Sequence, residues 1–126
     1  MSAGEEELWV QLRAVGIEGV EREYRFAAHA TGVTGKGCRQ RLADANLKDW
    51  RFDFALPDKL IAIEVEGGGW VSGRHNRGAG FEADLRKYDA AARLGWTIYR
   101  CSPEMVRVGQ AIKTIEILLK LTGDEK

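Results

Sequence analysis

Apolar and polar positions along this chain change period several times, and each change marks an element. Leu8, Trp9, Leu12 and Val15 recur at helical spacing ahead of Gly16, which predicts an amphipathic helix over 5–15. Residues 20–28 alternate imperfectly, with Tyr24 and Phe26 on one side, and read as a strand. Residues 29–48 carry Thr31, Gly32, Thr34, Gly35 and Gly37 and read as an inserted loop, with a short helical turn over 38–45. A connection of that length in a compact domain is functional or unstructured: a DNA-contacting arm, a dimer strap or a disordered loop. Residues 50–56 and 60–66 read as two central strands, joined by the turn-forming run Leu56-Pro57-Asp58-Lys59-Leu60. Gly67-Gly68-Gly69 ends the second strand, and a loop runs on through Gly80. A helix over 81–94 closes at Gly95, and residues 96–101 form an aromatic and β-branched strand. Pro103 opens a final helical stretch with Val106, Val108, Ile112, Ile115, Leu118 and Leu119 towards the core. This order predicts an α/β fold, a mixed central sheet flanked by helices, rather than a doubly wound βαβ chain.

Composition narrows the class. A chain of 126 residues, 44% hydrophobic and 30% charged, fits one globular domain over 1–126 with a real core. No apolar run reaches the roughly 18–20 residues needed to span a bilayer. The acidic N-terminus lacks the features of a signal peptide, so a cytoplasmic location is the expectation. Cys38 and Cys101 sit in no paired motif and read as free thiols, and two histidines give little support to a zinc centre. Formal net charge is zero, but residues 1–20 are acidic. Lys36, Arg39, Arg41, Lys48, Arg51, Arg74 and Arg77 gather positive charge in the middle of the chain. That distribution suits either a phosphate backbone or ordinary solvated loops.

The strongest chemical signal lies on the two central strands. Side chains alternate along a strand, so Glu64 and Glu66 point the same way. If Asp58-Lys59 forms the hairpin tip, Asp53 falls opposite Glu64 and joins that face. Three carboxylates beside an Ile/Val layer repel one another, and a hard divalent cation, Mg²⁺ or Mn²⁺, relieves the repulsion. The plainer reading pairs Asp53 with Arg51 or Lys59 and leaves both glutamates on a solvated sheet face. The glycine run after Glu66 favours the functional reading, because a phosphate can approach a backbone that has no Cβ.

Taken in order, these motifs resemble the PD-(D/E)XK nuclease superfamily. More narrowly, Phe52-Asp53-Phe54-Ala55, Ile63-Glu64-Val65-Glu66-Gly67-Gly68, Gly73-Arg74-His75, Gly78-x-Gly80-Phe81, Asp84-x-x-Lys87-Tyr88 and Gly95-Trp96-x-x-x-Arg100 resemble small phage endonuclease-like proteins. Those are relatives of the very-short-patch-repair and DUF559 endonucleases. The resemblance implies a restriction-endonuclease-like core and a Mg²⁺-dependent DNA endonuclease, acting on branched or recombination-intermediate DNA in a bacterial host cell. It implies Asp53 and Glu64 as metal ligands, with the Val65 carbonyl as a third oxygen. Glu66 stands where the superfamily often has lysine, and Lys87 on the following helix is the migrated cation. Glu7 fits the additional helical acid, with Glu23 as the weaker alternative.

For Glu66 two roles stay open, an extra ligand if two metals bind or a general base if one does. Its presence in place of lysine also allows a catalytically inactive DNA-binding module on the same fold. Arg74, His75 and Arg77 read either as DNA contacts on a loop or as loop polarity, and Trp70 as a stacking or a packing residue. Arg51, Lys36, Arg39 and Arg41 are the remaining candidates for DNA binding. A homodimer would suit cleavage of two strands.

Overall fold

The computed structural model describes residues 2–32, 34–67 and 79–123. Helix α1 (Ala3–Ala14) starts where the Ser2 hydroxyl accepts the Glu5 N–H at 3.2 Å, the expected N-cap contact. Strand β1 (Glu21–Tyr24) is followed by two short helices, α2 (Phe26–Ala30) and α3 (Cys38–Asp44). Strands β2 (Phe52–Leu56) and β3 (Ile61–Val65) are joined by a 3₁₀ turn (Pro57–Lys59). Helix α4 (Ala79–Arg93), strand β4 (Thr97–Cys101) and helices α5 (Pro103–Arg107) and α6 (Gln110–Gly123) complete the order.

The fold is α/β, with a four-stranded open mixed sheet in the order β1-β2-β3-β4. The first two pairings are antiparallel and the β3–β4 pairing is parallel. Two apolar layers cover the sheet. On one side Leu8 and Leu12 of α1 pack with Phe54, Ile61, Ile63, Val65, Val106, Ala111 and Ile115. On the other, Phe26, Ala27, Cys38 and Leu42 pack with Phe52, Ala55, Ala62 and Ala91. Phe26 and Phe52 stack at 4.0 Å with Trp96 edge-on to Phe52 at 5.0 Å, which gives this thinner layer its aromatic centre.

Four expectations change. The strand expected over 20–28 stops at Tyr24, and Phe26, Ala27 and Ala28 are buried on a helix. Of the readings for residues 29–48 the disordered loop falls, because the helical turn expected over 38–45 forms as α3 and buries Cys38 and Leu42 in the second layer. The final helical stretch breaks at Gly109, whose φ of 82° is left-handed backbone that suits glycine. Val108 and Val15, expected on apolar faces, are 56% and 47% exposed. Among the described residues no helix is long and apolar enough to cross a membrane.

Candidate functional site

One end of the sheet collects nearly all the chemistry. Glu23 lies near the end of β1, Asp53 at the start of β2, Glu64 near the end of β3 and Arg100 near the end of β4. The registers Phe54↔Ile63 and Arg22↔Phe54 run on to set Asp53 between Glu64 and Glu23. Alternation fails at this point. Phe52 and Phe54 pack into opposite layers, and Glu23 holds a left-handed φ of 50° inside its strand. A residue with a Cβ sits there at a cost, and such strain gathers at sites that use it.

The result is a triad. Carboxylate oxygens of Glu5, Glu23 and Asp53 lie within 4.8 Å of one another. Burial pushes the Asp53 carboxyl up to about 6, with Glu5, Glu64 and Glu23 adding repulsion while the Val65 N–H, 2.9 Å from Oδ2, offsets part of it. Glu5 is likewise raised, first by burial and then by Glu23, and the attraction of Arg22 offsets only part of this. Arg22 itself is engaged elsewhere, 3.0 Å from Glu6 and 4.8 Å above the Trp9 ring. Among the described residues no ion pair reaches Asp53.

Glu64 and Glu66 are arranged in the opposite way. Glu64 is 6% exposed, and Lys87 Nζ lies 2.7 Å from its Oε2 while the Tyr88 hydroxyl donates to its Oε1 at 2.5 Å. Glu66, exposed at the strand end, meets Arg100 at 3.0 Å and lies 3.4 Å from the Tyr88 hydroxyl. Burial and the adjoining Glu64 drive the Tyr88 phenol far above its ordinary range, so it stays a proton donor. The run Lys87–Glu64–Tyr88–Glu66–Arg100 is therefore one connected network.

No family model, curated protein or solved structure matches this chain.

Of the residues singled out from sequence, the structure brings Asp53, Glu64, Glu66 and Lys87 to one end of the sheet. Val65 joins them there through its N–H, which Asp53 accepts. Glu7 does not reach the triad: it is exposed on α1, and Glu5 occupies the helical position expected for it. The signal for Glu5 was present. Ser2-x-x-Glu5 fits the start of a helix, and Glu5 shares a face with buried Leu8 and Leu12, from which Glu7 points away. Lys36, Arg39 and Arg51 are exposed and Arg41 is half-buried. Trp70, Arg74, His75 and Arg77 lie outside the described residues, as does the glycine-rich loop beyond Gly67.

Glu5, Glu23 and Asp53 are the described residues that could hold a hard divalent cation, by donor type alone. All three groups are carboxylates, and Asp53 among them is partly buried, its carboxyl raised first by burial, lowered by the Val65 N–H and raised again by Glu5, Glu64 and Glu23. The oxygens must draw closer, since ligands about 2.1 Å from one Mg²⁺ lie about 3 Å apart at right angles. Flexible glutamate side chains on α1 and β1 allow that closure.

Proposed function

We propose that the protein is a Mg²⁺- or Mn²⁺-dependent DNA endonuclease with a restriction-endonuclease-like core. The observation that carries this reading is the cation on Glu64: a lysine from α4 stands 2.7 Å from a buried strand carboxylate, one strand from Asp53. Asp53, Glu5 and Glu23 would hold the metal, with Glu64 and the Val65 carbonyl at its margin. When bound, the metal lowers the pKa of water and offsets charge on the phosphoryl oxygens.

The remaining tasks fall to the chain itself. Lys87 carries positive charge beside the place where a phosphate would meet the acids, and it orients a water or a non-bridging oxygen. Tyr88 holds Glu64 in one rotamer by occupying Oε1. Glu66 is tied to Arg100 and lies outside the triad, so it serves the network as a tether for Tyr88 and Arg100. Branched or recombination-intermediate DNA of phage origin is the substrate class proposed from the sequence motifs, with a homodimer suited to paired cuts.

A second reading rests on the same network. Lys87 and Tyr88 engage both oxygens of Glu64, which favours a DNA-binding module that has kept the fold without catalysis. Incubation with duplex, nicked and four-way DNA under Mg²⁺ or Mn²⁺ separates the two. The nuclease reading expects metal-dependent cutting that falls by about 100-fold or more in Asp53→Ala and Glu64→Ala, the scale of losing a main electrostatic contributor. Binding without any cut favours the module, and cutting that survives both alanines removes the site assignment.

A further inference from the structure

Away from the acids, α3, the segment after it and α4 enclose an open groove of about 1060 Å³. Its cationic wall is Arg41, Lys48, Arg86 and Arg93, against two carboxylates, Asp44 and Asp89. Trp50 lines the same groove, half-buried, with Phe26 stacked near-parallel at 6.4 Å. Arg86 and Arg93 each pair with an acid one turn away on their own helix, and their side chains are 72% and 78% exposed. Such surface pairs hold their partners weakly, so both guanidinium groups can turn to another anion.

Helix geometry links this groove to the acidic site. Arg86, Asp89, Ala90 and Arg93 follow one another at i, i+3, i+4 and i+7 and form one face of α4. Lys87 and Tyr88 sit on the neighbouring face and reach Glu64. The two features are therefore on adjoining faces of one helix, which is about 10 Å across with its side chains. A polyanion passing the acids has a cationic path to follow beyond them.

We infer that the groove between α3 and α4 binds a segment of single-stranded nucleic acid, with phosphates on Arg86, Arg93 and Lys48 and a base against Trp50. The inference rests on the nuclease reading only for the direction of the strand. A single strand fits better than a duplex, because a base can meet an indole face only when it is unstacked from its neighbours. The volume is adequate, since pockets of about 300–1,000 Å³ enclose drug-sized ligands. An acidic peptide would satisfy the arginines but leaves Trp50 without a role.

The test is binding of labelled oligothymidylate to the full chain in EDTA, where no metal-dependent cut intervenes, across a salt series. Lys48→Glu/Arg86→Glu/Arg93→Glu should weaken binding by about 10-fold or more and flatten the salt slope by about one for each phosphate no longer engaged. Lys59→Glu/Lys113→Glu/Lys120→Glu, the same number of reversals on exposed lysines of the 3₁₀ turn and α6, should leave both close to the wild type. In a Trp70→Phe background, which removes the other candidate stacking residue, oligothymidylate should quench tryptophan emission, and adding Trp50→Phe should remove most of the quench while retaining the fold by circular dichroism. Wild-type affinity and slope in the groove variant overturn the inference, as does a quench that survives Trp50→Phe. Polyglutamate binding as tightly as oligothymidylate also overturns it, in favour of an acidic peptide. Metal-dependent cutting is scored separately, so the groove can fail while the nuclease reading stands.

Discussion

Two groups of carboxylates meet at the same end of the sheet, and they are treated in opposite ways. Glu64 and Glu66 come with their own cations, Lys87 and Arg100, and share the Tyr88 hydroxyl. Asp53 has Glu5 and Glu23 beside it and a backbone N–H to offset them, and burial holds its carboxyl up to about 6. A neutralised buried acid is part of the framework, and removing its partner damages the protein. An acid under repulsion is a cost to the framework, and removing it brings relief. Stability measurements therefore separate the two groups without any substrate.

The largest expected effect is on the neutralised side. Lys87→Met leaves Glu64 buried without its cation, and it should lower unfolding free energy in urea by ~3 kcal/mol. Adding Glu64→Gln to that variant should recover most of the loss, and a failure to recover would show that Lys87 contributes chiefly by packing. Tyr88→Phe removes one donor from the same carboxylate and should cost ~2 kcal/mol, as hydrogen bonds to charged groups do. An unchanged denaturation midpoint in this variant would break the idea of a connected network.

The smallest effect has the opposite sign. The Asp53 carboxyl is raised from 3.8 to about 6, so between those values the folded protein binds more protons than the unfolded chain. Ionising Asp53 thus lowers stability as pH rises through that window. Asp53→Asn should match the wild type below about pH 4 and exceed it by ~1 kcal/mol above about pH 6, allowing for solvent screening of a half-exposed group. Thermal melts of both proteins across that range check the difference, and a gap independent of pH would mean that burial and the neighbouring acids do not raise the Asp53 carboxyl.

Periodicity made the sheet legible. The Ile61–Val65 run, the turn chemistry of Pro57-Asp58 and the Gly95 stop fixed three strands and their long helix to within a residue or two. Residues 26–48 were harder to read. Phe26, Ala27 and Ala28 form one buried helical turn, too short to show a period, and Cys38 and Leu42 join the same layer from a helix of only two turns. The acids on β2 and β3 were visible from the two apolar strand runs and the turn between them, although alternation itself breaks between Phe52 and Phe54. Glu23 was not firmly placed, because its left-handed backbone breaks that alternation and is a tertiary effect. Glu5 was within reach: the capping pattern at Ser2 and the buried face of Leu8 and Leu12 select it over Glu7.

Gly4 shows how closely the parts are set. A Cβ there would stand 3.1 Å from Val65 Cγ1 and 3.2 Å from the Pro103 Cβ, so a larger residue would push these neighbours apart by a few tenths of an ångström where α1 meets the end of β3. The triad borrows Glu5 from the layer that α1 belongs to, while Lys87 and Tyr88 descend from α4 in the opposite layer. The triad and the Lys87–Glu64–Tyr88 network therefore stand together only while both layers are seated on the sheet. Releasing α1 takes Glu5 out of the triad, and releasing α4 strips the cation and the hydroxyl from Glu64, so the complete site exists only when both helices are docked.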